Sequence, residues 1–291
     1  MTGRLDGKCA LVIGAGSVGE GWGNGRAAAV LFAREGARVF GVDRDAAALA
    51  DTVARAAAEG LTIETTTADV TGPAEVERLV AEAHAAPGRI DVLLNNVGGS
   101  APGDVVSLSD EAWDRQMAMN IDYVFHAMKQ VVPIMVAQGG GSIVNLASIA
   151  ALRFFGPDCI GYAAAKAGVI KMSQVTAVKY ASHGVRVNTV VPGLMHTSLV
   201  SVRLVGERDA ESAEALIAAR DRQVPTGKMG HAWDVAYAAL YLASDEAKYV
   251  TGTELTFHAL VSNLRLRDDI ASARTRCPHD DPSAGDEPAA G

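Results

Sequence analysis

The feature that most constrains the fold is an alternation. Short apolar runs at 8–13, 38–42, 61–67, 91–95, 142–146, 185–191 and 253–257 are separated by longer stretches whose apolar residues recur at helical spacing. Strands joined through helices do not form hairpins; each crossover returns the chain to lay the next strand parallel to the last. Val92-Leu-Leu94 and most of 185–191 are apolar at consecutive positions, as strands covered on both faces must be. The prediction is one α/β domain, a doubly wound seven-stranded parallel sheet with helices on both faces. With 291 residues, 49% of them apolar, a single sizeable core is within reach.

Helix starts are marked by Thr71 before Pro73, Glu75 and Glu77, and by Ser109 before Asp110 and Glu111. The strongest helical patterns run over 109–138 and from 162 to about 182. Both carry more apolar residues than a sheet face requires, a surplus suited to burial or to subunit packing. The domain is expected to span 1–264. From 265 to 291 the composition shifts to Pro, Asp, Ser, Gly and Ala, an atypical C-terminal tail expected to be largely disordered.

A formal charge of −8 with no run of Lys and Arg argues against nucleic-acid binding. Cys9, Cys159 and Cys277 are far apart, without ligand spacing, so neither disulfides nor a metal site is expected. The N-terminus has no apolar signal core, and no stretch nears the ~20 apolar residues of a spanning helix. These features point to the cytoplasm and to no membrane partner.

Chemistry enters after the first strand, at Gly14-Ala-Gly-Ser-Val-Gly-Glu-Gly-Trp-Gly-Asn-Gly25, followed by a helical pattern that we place from near Asn24. Glycines let the backbone approach a diphosphate, whose charge the helix N-terminus favours. Asp43 ends the second strand, where a carboxylate accepts hydrogen bonds from ribose hydroxyls and repels a 2′-phosphate. This favours NAD over NADP, although Arg44 follows directly. Tyr162 and Lys166 lie four apart in the first turns of a helix and so share one face. An ammonium beside the phenol is expected to lower the tyrosine pKa from about 10 toward neutrality and make it an acid/base.

These residues together resemble the classical short-chain dehydrogenase/reductase family from about Leu5 to Thr256. Asn95-Asn-Val-Gly98 is similar to that family's Asn-Asn-Ala-Gly motif, Ser148 closes the fifth strand, and Tyr162 and Lys166 follow in order. The resemblance implies a Rossmann-type fold and an NAD(P)-dependent oxidoreductase acting on an alcohol or ketone. Ser148, Tyr162, Lys166 and Asn120 become the catalytic set, with Asn120 anchoring a proton-relaying water. Gly14, Ser17, Gly23, Asn24 and Gly25 become the diphosphate loop, with Asp43, Asp69 and Val70 toward the adenosine side and Asn96 and Gly98 as further cofactor contacts. Tyr162, Lys166, Pro192, Gly193 and Thr197 become the contacts of the nicotinamide end, and a homotetramer or homodimer is implied.

The chain departs from that pattern in three places. The glycine loop has Ile13 in place of Thr and five additional residues before Gly23. Such a loop is similar to the divergent enoyl reductases, but the residue seven after Tyr162 is Val169, not Lys, which favours carbonyl chemistry. After Thr256 the usual Asp-Gly-Gly turn is absent. Arg153, Phe154, Phe155 and Ile160 suggest an apolar substrate wall, and 194–223 a lid in which His196 is more a solvated residue than a substrate contact. A nucleotide-binding scaffold without turnover is the competing reading. A methyltransferase would have no use for the Tyr/Lys pair.

Overall fold

The computed structural model describes residues 3–154, 156, 158–200, 202 and 213–257. Strands β1 (Cys9–Ile13), β2 (Arg38–Asp43), β3 (Ile63–Thr67), β4 (Val92–Asn95), β5 (Gly141–Leu146), β6 (Val185–Pro192) and β9 (Glu254–Phe257) form one sheet. Their spatial order is β3-β2-β1-β4-β5-β6-β9, and every pairing is parallel. A two-residue pair not expected from the sequence, β7 (Met195–His196) with β8 (Gly230–His231), ties the segment after β6 to the residues that follow α7 (Ala213–Gln223). The residues expected to form a tail, 265–291, lie outside the described part of the chain, as does Phe155.

Alternation along each strand assigns its side chains to two cores. On one face Ala10 and Val12 pack with α1 (Asn24–Arg34), α2 (Ala46–Ala57) and α8 (Ala232–Ala243). On the other, Leu11 and Ile13 pack with α3 (Pro73–Ala85), α5 (Tyr123–Ala137) and α6 (Ile160–Tyr180). The run Ala27-Ala-Ala-Val-Leu-Phe-Ala33 in α1 is wholly buried, its small side chains letting α1 lie close to both the sheet and α8. Strand order reverses between β1 and β4, and the crevice left at such a switch point is where doubly wound sheets bind ligands.

Two local expectations are corrected. Thr71 does not cap α3: its N–H and hydroxyl both donate to Asp69, and the cap residue is Gly72, with no side-chain bond. Ser109 does cap, accepting from the Ala112 N–H at the start of α4 (Asp110–Met117). The helix expected over 109–138 is interrupted by a wide π-turn, Ala118–Asp122, with Asn120 at its centre. There the Asn120 amide donates to the Gln116 carbonyl at 2.9 Å, competing with the backbone ladder, the kind of intrusion that widens a helix.

Candidate active site

The loops at the C-terminal ends of β1 to β6 enclose a cleft of about 450 Å³. Its floor begins at Gly14, in the left-handed region (φ +91°), which turns the chain out of β1. A Cβ on Gly25 would lie 1.8 Å from the Gly14 carbonyl oxygen and 2.4 Å from Asn96 Nδ2, so only glycine lets α1 begin against this turn. Asn96 Nδ2 donates to that same Gly14 carbonyl at 2.9 Å, tying the β4 end to the loop. Helix α1 starts at Asn24, where the sequence placed it; its N-cap Gly23 offers no side-chain bond and its first turn carries no acid. The helix N–H groups are left for an anion. This donor-rich cradle fits the diphosphate of a dinucleotide.

Asp43 closes β2 at one end of the cleft. Its Oδ2 accepts the Gly16 N–H at 3.0 Å and its Oδ1 the Asp45 N–H at 3.1 Å, which orient the carboxylate and leave lone pairs for hydroxyl donors. Arg44 lines the cleft beside it. Asp69 is held by Thr71, whose N–H and hydroxyl keep its carboxyl below the usual carboxylate range.

At the other end, Ser148 ends β5 and caps a short 3₁₀ turn, its Oγ accepting from the Ala150 N–H at 3.3 Å and its hydroxyl hydrogen-bonding Tyr162. Tyr162 and Lys166 project from the first turns of α6 into the same cleft. Lys166 Nζ donates to the Leu146 carbonyl at 2.8 Å and sits 5.8 Å from the Tyr162 ring centre. The electrostatics correct the expectation of a lysine-lowered phenol. Burial pushes the Tyr162 phenol up, with the Ser148 bond opposing, and burial alone lowers Lys166 to about 7. In a desolvated pocket the cost of charging each group outweighs their attraction across this gap.

Every residue assigned to the cofactor, from Gly14 to Thr197, lines this one cleft, as do Ser148, Tyr162 and Lys166. Asn120 does not. It is fully buried, and its side chain bonds both the N–H and the C=O of Gly99, at 3.1 and 3.0 Å. Asn120 and Lys166 nevertheless converge on Gly98, where a Cβ would lie 2.8 Å from Asn120 Oδ1 and 3.0 Å from Lys166 Nζ. Of the expected substrate wall, Arg153, Phe154 and Ile160 are not among the lining residues, and Phe154 and Ile160 point to solvent. Met119, Ile149, Leu194, Met195 and Leu199 line the cleft instead. His196 is exposed, outside the lining. The sequence reading also missed the buried Arg26 and Arg220. Arg26 had one signal, a lone cation within an Ala-rich helix.

Among the described residues no cluster of His, Cys, Asp and Glu is placed to hold a metal ion, and no helix is long and apolar enough to cross a membrane.

A doubly wound parallel sheet whose switch-point cleft joins a glycine cradle to a Ser–Tyr–Lys group belongs to the NAD(P)-dependent oxidoreductases. A family model described as enoyl-(acyl carrier protein) reductase matches residues 19–259. The chain is 37% identical over 251 residues to the 3-oxoacyl-[acyl-carrier-protein] reductase FabG of Thermotoga maritima, covering 86% of this chain and 95% of that protein. It superposes with a TM-score of 0.82 on a Burkholderia xenovorans protein assigned to the short-chain dehydrogenases/reductases, at 49% identity, over 88% of this chain and 97% of the other. Carveol dehydrogenase from Mycobacterium avium, solved in complex with NAD, superposes at a TM-score of 0.81 with 29% identity, over 89% and 98% of the two chains. The chain belongs to the short-chain dehydrogenase/reductase family.

Proposed function

We propose that this chain interconverts a secondary alcohol and a ketone, using NAD in preference to NADP, with Tyr162 as general acid and base. The observation that carries the reading is the meeting of Ser148, Tyr162 and Lys166 in the cleft that also holds the glycine cradle and Asp43. NAD, when bound, supplies hydride acceptance or donation; the chain's own residues handle the proton. Ser148 holds the substrate oxygen. Tyr162 gives that oxygen a proton in reduction and takes one in oxidation, a transfer typically worth roughly a hundred- to ten-thousandfold. Lys166 stabilises the phenolate as it forms, and Asn120, whose side chain is taken up by Gly99 and Gln116 and so is not free to relay a proton as the sequence suggested, holds the Gly98–Gly99 turn against Lys166. Since burial raises the Tyr162 phenol, the neutral acid needed for reduction prevails near neutral pH. The phenolate needed for oxidation grows as pH rises.

Asp43 supports NAD because its carboxylate lies where a 2′-phosphate would be repelled. The spacing of Tyr162 to Lys166 supports carbonyl chemistry over reduction of a carbon–carbon double bond. Apolar Phe125, Val175 and Val178 stand exposed on α5 and α6, supporting assembly as a homotetramer or homodimer through these helices.

The test is Tyr162→Phe. A panel of secondary alcohols and NAD, read by the absorbance of reduced nicotinamide, is expected to show wild-type oxidation that climbs toward alkaline pH and a variant that binds NAD but is inactive. Undiminished turnover in the variant refutes the assignment. NAD binding without turnover on any alcohol or ketone by the wild type would favour a scaffold.

A further inference from the structure

Half of the residues from Gly14 to Gly25 are glycine, yet the structure fixes this expanded loop from three sides. At its base Trp22 stacks on Trp233, ring centres 4.7 Å apart and planes inclined by 56°. The Arg34 guanidinium lies 4.6 Å from the centre of the Trp233 ring and that of Arg55 5.1 Å from Trp22, completing an Arg34/Trp233/Trp22/Arg55 ladder that joins the loop to α1, α2 and α8. Beneath it Arg26, fully buried, donates to the Gly21 carbonyl at 2.6 Å, to Thr52 Oγ1 at 3.0 Å and to the Ala48 carbonyl at 3.1 Å, and pairs with Asp51 at 2.7 Å. Across the cleft, Ser17 Oγ meets Ser198 Oγ at 2.6 Å. Gly19 (φ +70°) comes so near Val202 that a Cβ would lie 2.7 Å from its Cγ2. Ser17 and Gly19 line the cleft; Trp22 and Trp233 do not.

We infer that Trp233, outside the cleft, is a positioning residue for the dinucleotide, bracing the expanded glycine loop as a preformed strap at the diphosphate end of the site. The inference rests on the dinucleotide reading proposed above. Glycine loses more conformational freedom on ordering than any other residue, so an unbraced loop of this composition populates many conformations. Affinity for a ligand falls in proportion to the fraction of chains holding the competent one. The ladder supplies the ordering in advance. Its loss therefore appears in cofactor affinity, not in the proton-transfer step, and only for ligands that carry phosphate to the strap.

The test is titration calorimetry of the full chain with NAD, ADP and adenosine, on the wild type and on Trp233→Ala, Trp22→Ala, the double variant and Trp233→Phe. Losing one aromatic pair and its flanking cation contact is expected to weaken NAD and ADP about tenfold in either single variant. Adenosine is unaffected, Trp233→Phe retains nearly all the affinity, and the double variant is no worse than either single one because both remove the same brace. Turnover at saturating NAD is unchanged. The inference is overturned if Trp233→Ala binds NAD within about twofold of the wild type, or if adenosine affinity falls in step with NAD. Should Trp233→Ala not fold, Trp22→Ala, which alters only the loop, decides by the same criteria. A wild type that binds neither NAD nor ADP overturns the dinucleotide reading itself.

Discussion

Replacing Lys166 by methionine should stabilise the folded chain while removing its activity. Burial lowers the lysine from its ordinary 10.5 to about 7, whereas the unfolded chain keeps the ordinary value. Between those two values the unfolded state binds more protons than the folded one. Lys166 therefore opposes folding, fully below about pH 7, and the opposition fades as pH rises toward 10.5. At about 1.4 kcal/mol for each tenfold change in proton affinity, the opposition is about 4 kcal/mol at ~pH 7 and about 2 kcal/mol at ~pH 9. Methionine removes this but also removes the 2.8 Å bond to the Leu146 carbonyl. Leaving that buried acceptor unmet costs about 1–3 kcal/mol. The variant should thus exceed the wild type by roughly 1–3 kcal/mol at ~pH 7, and its advantage should shrink by about 2 kcal/mol by ~pH 9. Urea unfolding of both proteins across this range, with slopes checked for equality, measures the difference. A difference that does not change with pH would refute the reasoning, because it would mean that Lys166 keeps its ordinary proton affinity in the fold.

Two further perturbations probe the cofactor end. Asp43→Ala removes both the acceptor proposed for the ribose hydroxyls and the partner of the Gly16 N–H; NAD affinity is expected to fall about tenfold, or ~1.4 kcal/mol, while NADP affinity holds or rises, read by calorimetry with each nucleotide. An unchanged ratio of the two affinities would remove Asp43 from the discrimination. Gly25→Ala would put a methyl 1.8 Å from the Gly14 carbonyl oxygen, and the forced separation of β1 from α1 should cost about 1–3 kcal/mol in thermal unfolding and abolish NAD binding; retained binding would show that the cradle is not needed in this form.

The legibility of the chain followed the range of the interactions involved. Strand and helix alternation is a local pattern, and all seven sheet strands lie within one or two residues of their expected ends because each is bounded by its own turn residues. The start of α1 was legible for the same reason, since a run of glycines cannot begin a helix and the alanines after Asn24 can. The π-turn at Asn120 was not legible, because it depends on one amide turning back to the Gln116 carbonyl while also holding Gly99, a residue brought beside it by a different strand. The charge states of Tyr162 and Lys166 were misread for a related reason. Spacing shows that two groups share a face, but how much water they lose is set by all the strand ends and loops that meet around the cleft.

The bracing of the glycine loop is the extreme case. Trp22 and Trp233 are 211 positions apart and belong to no common motif, so nothing short of the three-dimensional chain pairs them. What the sequence did carry was the anomaly itself, a loop five residues too long and half glycine. Such a loop is tolerable only if something distant orders it, since each glycine adds freedom that binding would otherwise have to remove. The Arg26 network and the tryptophan pair answer that requirement by different means, one through a hydrogen bond to the loop backbone and the other through a side chain on α8, and Asp51, paired with both Arg26 and Arg55, links the two. A departure from a family's motif therefore marks where to look for compensating contacts elsewhere in the chain, and here it leads from the cofactor loop to the first turn of α8, which no catalytic motif touches.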